Sequence, residues 1–337
     1  MFPEPRIRVV PEQVRSAGPQ IVRLAGMAGI KLDEAQCMVA ADTAGVDPDG
    51  RWSAFECVIF APRQNLKTEY LIARILAGLF IFREELIVFS AHRASTTTKV
   101  FRRLKRAIDR SPQLGGRIAR VSNRIGSESI ELVNGQTVEM VARSTSSGRG
   151  FTGDTVILDE SHELDSDQLA SILPMVSTRR NPQVLYALSL GNEHTSHVGG
   201  LRERALSGRD GVCWLEWSMA DDDRVDDPAV WARCNPAYHA GRISMGYMER
   251  EFEALGPDRF ARERLGRSEW PSGEAGDWLA ITQDAWLACA CPDVSTSPGP
   301  AAVAVVEAPE GHPAWEDWPD TVPPWIRRRG PAIPASR

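Results

Sequence analysis

Between residues 55 and 190 the apolar positions come in two textures: short continuous runs, and longer stretches where they recur every three or four residues. The short runs at 55–60, 86–91, 155–158 and 183–190 are rich in Val, Ile and Leu. Such runs fit strands buried on both faces. Between them, 67–82 carries Leu71, Ile72, Ile75, Leu76, Leu79 and Phe80 at helical spacing, and 95–110, 164–173 and 197–207 also read as helices. One stretch breaks the alternation. Segments 129–133 and 136–142 alternate apolar and polar residues around Asn134-Gly135, which predicts a β-hairpin. The whole pattern predicts an α/β fold: a mostly parallel sheet flanked by helices on both faces.

The flanks read differently. Residues 1–50 form a helical lead-in, apolar-periodic from 21 to 41 and ending at the turn Asp47-Pro48-Asp49-Gly50. Beyond 215 the periodicity is helical, over 228–235 and 244–266. From Pro292 onward prolines are dense, and Trp315, Trp318 and Trp325 lie among them without a carrying pattern. The expected division is a lead-in (1–50), an α/β core (51–215), a small helical subdomain (216–270), a linker (271–300) and a poorly structured C-terminal tail (301–337).

With 42% apolar and 25% charged residues in 337, the composition is that of a globular protein. A net charge of −6 argues against a uniformly basic DNA-coating protein, but leaves a local track of Arg102, Arg103, Lys105, Arg106 and Arg110 on one helix. No apolar run is long enough to span a bilayer, the longest (70–82) being broken by Arg74, so no membrane partner is expected. No secretion signal opens the chain, and the six cysteines lack metal or disulfide-framework spacing. Reduced thiols in a cytoplasm are the expectation.

The chemistry begins at Ala61-Pro62-Arg63-Gln64-Asn65-Leu66-Lys67-Thr68. A phosphate-binding loop reads Gly, four residues, Gly-Lys-Ser/Thr, between a strand and a helix. Lys67 and Thr68 are present in that context, while Ala61 and Leu66 stand at the glycine positions. A nucleoside triphosphate with Mg²⁺ needs backbone N–H groups at a helix start, a cation for the phosphates and a hydroxyl for the metal. The second half is Val156-Ile157-Leu158-Asp159-Glu160, a buried strand ending in two carboxylates. Asp159 is the candidate Mg²⁺ ligand alongside Thr68, and Glu160 the candidate base for the attacking water. Each half is common by chance; their order, strand context and intervening βα alternation carry the reading. After the next strand, Ser189-Leu190-Gly191-Asn192 offers Ser189 and Asn192 as sensors of the terminal phosphate.

The combination of Pro-Arg-Gln-Asn-Leu-Lys-Thr (62–68), Arg-Gly-Phe-Thr-Gly (149–153) running into Val-Ile-Leu-Asp-Glu-Ser-His-Glu (156–163), and Ser-Leu-Gly-Asn (189–192) resembles the large subunit of tailed-bacteriophage terminases. Ala91-His92 and Trp270-Pro271 fit the same family, and the resemblance covers roughly 45–290. It implies a RecA-like P-loop ATPase domain followed by a nuclease domain. Gln64, Asn65, Leu66, Lys67, Thr68 and Asn192 would then contact ATP, and Lys67 and Arg63 would stabilise charge, Arg63 as an arginine finger in cis or Arg149 instead. Implied partners are double-stranded DNA, the small terminase subunit, the portal protein and other copies of the chain in a ring, in the bacterial host cytoplasm.

Two departures stand out. The family loop has glycine where this chain has Leu66; were φ > 0 required there, the side chain would cost about 1–2 kcal/mol and weaken nucleotide binding. Near the expected start of the nuclease, Ala301–Val306 is followed by Glu307, and the acidic residues of the tail form no evident metal constellation. Loss of nuclease activity is expected. Two alternatives follow: an inactive prophage remnant, and a helicase-like ATPase suggested by Asp159-Glu160-Ser161-His162.

Overall fold

All five residues of Glu56–Phe60 are buried, because neighbouring strands flank them and helices cover both faces. The computed structural model describes residues 2–143, 153–164, 173–191, 196–208 and 211–270. In chain order the strands are β1 (Ile7–Val9), β2 (Arg15–Ser16), β3 (Gly45–Val46), β4 (Glu56–Phe60), β5 (Leu86–Ala91), β6 (Ile118–Ser122), β7 (Ser129–Leu132), β8 (Thr137–Ala142), β9 (Thr155–Asp159), β10 (Gln183–Leu188) and β11 (Val212–Glu216). The helices are α1 (Gly18–Met27), α2 (Glu34–Thr43), α3 (Lys67–Ala77), α4 (Ala94–Arg110), α5 (Pro112–Gly115), α6 (Ser196–Leu206), α7 (Pro228–Cys234), α8 (Pro236–His239) and α9 (Met245–Leu265).

Among the described residues nine strands form one sheet in the order β1-β11-β4-β10-β9-β5-β8-β7-β6. The six from β11 to β8 run parallel; β1 at one edge and β7 at the other run opposite to them, and β6, antiparallel to β7, returns to their direction. Side chains alternate between two cores, as a period of two demands. Cys57, Ile59, Ile157, Leu185 and Ala187 meet α1 to α4, whereas Val58, Phe60, Val156, Leu158, Tyr186 and Leu188 meet Val198, Leu201 and Ala205 of α6. A third cluster, including Met219, Trp231, Met248, Phe260 and Leu265, forms a smaller core among the helices that follow β11.

The structure adds to the expected elements. The 1–50 segment is not purely helical: β1 extends the main sheet, and α1 and α2 join the core that holds α3. Strands β6 and β11 fall where no strand was expected. The expected helix 67–82 is α-helical to Ala77 and then widens into a π-turn over Gly78–Phe82. There a Cβ on Gly78 would lie 2.5 Å from Ile87 and closer still to a Glu84 carboxylate oxygen, so glycine is required by space. Of the expected helix 164–173, residues 165–172 lie outside the described residues, as do Arg149, Asn192 and the segments 271–300 and 301–337. No described helix is long and apolar enough to cross a membrane.

Candidate nucleotide site

The sheet register assembles the site. Ile59 of β4 pairs with Ala187 of β10, and Ala187 in turn with Asp159 of β9. The three chains that leave this line at the carboxyl ends are therefore the 61–66 loop, Ser189 and the Asp159-Glu160 turn. Open α/β sheets bind ligands at this end of their strands. The Ala61 N–H donates to the Leu188 carbonyl at 3.2 Å, extending the ladder into the loop before the chain turns into α3.

Lys67 opens α3 with its ammonium turned into the loop. Nζ donates to the carbonyl oxygens of Ala61 and Pro62, the latter at 3.2 Å, and to Ser189 Oγ at 2.9 Å. It makes no ion pair among the described residues. Burial pushes its pKa down to about 7, against the through-space pull of Asp159. A polyanion fits such a cation, since it supplies the counter-charge that the neutral oxygens do not.

Asp159 is the last residue of β9 and is buried, which raises its carboxyl pKa; Lys67 acts in the opposite direction. Its Oδ1 accepts the Glu160 N–H at 3.0 Å. Glu160 is left-handed (φ 52°, ψ 45°), an uncommon backbone for a residue with a Cβ. Thr68 is half-buried in the first turn of α3. Its hydroxyl and the Asp159 carboxylate are hard oxygen donors suited to Mg²⁺. No group of three or more described His, Cys, Asp or Glu side chains could hold a metal.

The loop residues divide in a way the pattern did not foretell. Leu66 does not need the left-handed region: its φ is −123°, and its side chain, 1% exposed, packs in the core with Tyr70 and Leu71. The expected strain is therefore absent at this position, and the side chain offers nothing to a nucleotide. The left-handed loop residue is Gln64 (φ 60°), which is exposed. Asn65, expected to contact the nucleotide, has its side chain buried and engaged by the protein. Nδ2 donates to Pro62 O, Arg63 O and Asn235 Oδ1, and Oδ1 accepts the Ala237 N–H at 3.0 Å. Backbone N–H contact is what remains for it. Arg63 is 62% exposed and pairs with Glu263 at 3.0 Å.

The chain that follows β11 grips this loop from outside. Arg242 donates to the Asn65 carbonyl at 2.7 Å and pairs with Asp33; Arg264, held by Glu251, donates to the Arg63 carbonyl at 3.2 Å. From the lead-in, Gln36 donates to the Leu66 carbonyl at 3.0 Å. Two cavities flank the loop. One of about 680 Å³ is walled by Arg63, Gln64, Leu190 and α9; the other, of about 200 Å³, includes Gln36, Lys67, Thr68, Arg103 and Arg242. Beyond β10, Gly191 lies under Trp270, where a Cβ would come within 2.8 Å of the indole.

Sequence reasoning missed Gln36, Asn235, Arg242 and Arg264. They are isolated polar residues far along the chain from the loop and the carboxylates, with no local pattern to single them out.

Against solved structures, the large terminase of bacteriophage HK97 matches with a TM-score of 0.61 at 17% identity, over 74% of this chain and 55% of that one. Over the matched part, the fold is that of the HK97 large terminase. The ATPase domain of the Thermus phage P74-26 large terminase matches at TM-score 0.47 and 17% identity, over 72% of this chain and 96% of that one. The large terminase of a thermophilic bacteriophage, in complex with ATP-γ-S, matches at TM-score 0.47 and 14% identity, over 69% and 52%. The chain thus spans about half the length of the HK97 terminase. No protein-family model and no curated protein sequence matches it.

Proposed function

We infer that this chain is an ATPase of the viral DNA-packaging kind, hydrolysing ATP to drive double-stranded DNA into a procapsid. The observation that carries the reading is the convergence of Lys67 with the Asp159-Glu160 turn at the carboxyl ends of the sheet, with β10 between them. The terminase fold of HK97 supports it. Backbone N–H groups at the start of α3 and the Lys67 ammonium would hold the phosphates, and Thr68 with Asp159 would hold Mg²⁺. Mg²⁺ held there would withdraw charge from the phosphoryl oxygens. Glu160 orients the attacking water and takes its proton, and Lys67 offsets the charge that develops. Arg63 would join after leaving Glu263, and Ser189 and Asn192 would sense the terminal phosphate. The family resemblance extends the reading to a small terminase subunit, a portal protein and a ring of copies in a bacterial host cytoplasm. Leu66 was one ground for a protein that hydrolyses nothing; its ordinary φ of −123° removes the strain on which that ground rested.

Glu160→Gln tests this. ATP binding by calorimetry should persist, while DNA-stimulated phosphate release should fall about 10²–10⁴-fold, the usual weight of a general base. Equal turnover in both proteins would remove Glu160 from its role. A wild-type protein that releases no phosphate with DNA present would overturn the function itself.

A further inference from the structure

Arg143 directly follows β8, yet its side chain ends at the turn that closes β9. Strand β5 lies between the two, so the side chain crosses the end of a strand to get there. Its own N–H donates to the Ala91 carbonyl at 3.0 Å, which continues the β5–β8 ladder and fixes the base of the side chain. Nη1 then passes the Ser90 carbonyl at 3.5 Å, and Nη2 donates to the carbonyl oxygens of Asp159 at 2.6 Å and Glu160 at 2.9 Å. One nitrogen thus holds two successive peptide oxygens of the turn that carries both acidic candidates.

Those peptides need an external hold. Glu160 occupies the left-handed region, which side chains with a Cβ rarely enter unless the surroundings impose it. The Glu160 N–H is held within the turn by Asp159 Oδ1. The two carbonyls on either side of the Glu160 α-carbon are held by Arg143. A charged donor makes these bonds short and strong, and the guanidinium also places a fixed positive charge near Asp159.

We propose that Arg143 is a positioning residue for ATP hydrolysis: by clamping the Asp159 and Glu160 carbonyls it holds Glu160 in its left-handed conformation and so aims the carboxylate at the attacking water. This rests on the ATPase reading above. Arg143 touches neither phosphate nor water in this scheme; it acts through the backbone of the residues that do.

The test compares Arg143→Met and Arg143→Lys with the wild-type full-length chain. Misplacement of a catalytic group by about 1 Å costs about a hundredfold, so Arg143→Met should lower kcat by that order and leave ATP affinity within about twofold. Arg143→Lys should fall between, and it carries the same comparison should the methionine variant not fold. In a Glu160→Gln background the single-turnover rate should show no further loss, because both changes remove the same function. Amide hydrogen exchange should quicken at 159–161, with or without nucleotide. Unchanged kcat, unchanged exchange at 159–161, or an equal further loss in the Glu160→Gln background would overturn the proposal. A wild-type chain without ATPase activity would instead overturn the functional reading, and hydrogen exchange would still report on the clamp.

Discussion

Leu66 shows how far a motif position is from a conformation. At the place where phosphate loops carry glycine, this chain has a leucine whose backbone is right-handed and whose side chain is core. Left-handed geometry has moved two residues upstream to Gln64. Restoring glycine at 66 should therefore not tighten ATP binding. It removes a fully buried side chain, a loss of about 2–5 kcal/mol when leucine is cut back in a core. Leu66→Gly should unfold at lower denaturant with ATP affinity no better than wild type, both read by a urea titration with and without nucleotide. Tighter ATP binding in the glycine variant would return Leu66 to the role of an obstruction.

At the level of elements, the 61–66 loop is fastened to the α7–α8 junction. Asn65 and Asn235 share a buried hydrogen bond of 2.9 Å, and Asn235 donates onward to the carbonyls of Trp231 and Arg264. Asn235→Ala removes that bond and the two that Asn235 donates, leaving Asn65 Nδ2 its longer bonds to the Pro62 and Arg63 carbonyls, at about 1–3 kcal/mol. Weaker ATP binding is expected beside the stability loss, since the loop is no longer held in shape. Unaltered affinity in a destabilised variant would reduce the contact to packing. Much of this level was readable from the chain. The runs ending at Phe60, Ala91 and Leu188 are buried on both faces and so leave a continuous apolar signal, and Asn134-Gly135 marks its hairpin. β11 was not, because Val212–Glu216 ends in a glutamate that is buried only by virtue of Arg6, Arg202 and Ser218. The same holds in the site. Lys67 and Asp159 stand in local patterns, whereas Arg143 and Asn235 matter through contacts that only the folded sheet creates.

The molecule as a whole separates support from chemistry. Opposite the site, at the amino ends of the strands, Arg74 is fully buried against the adjoining rings of Trp52 and Phe82, each 5.3 Å away. It grips Glu84 through two bonds of 3.0 and 2.6 Å, and also reaches Thr155 and Gln183, the first residues of β9 and β10. Arg74→Met would strand the Glu84 carboxylate in the interior, a change that costs about 3–5 kcal/mol. Urea denaturation should show that loss, and adding Glu84→Gln should recover part of it; full stability in Arg74→Met would mean that water reaches the carboxylate.

The edge strand β1 has a consequence in time. Its neighbour Arg6 meets Glu216 across 210 residues of chain, and the Trp217 indole donates to the Pro3 carbonyl at 3.0 Å. On a ribosome adding about 5–20 residues per second, roughly 10–40 s separate the emergence of these partners. Throughout that interval β1 lacks the β11 edge it joins, so this edge of the sheet closes only once the earliest and the latest of its described strands meet.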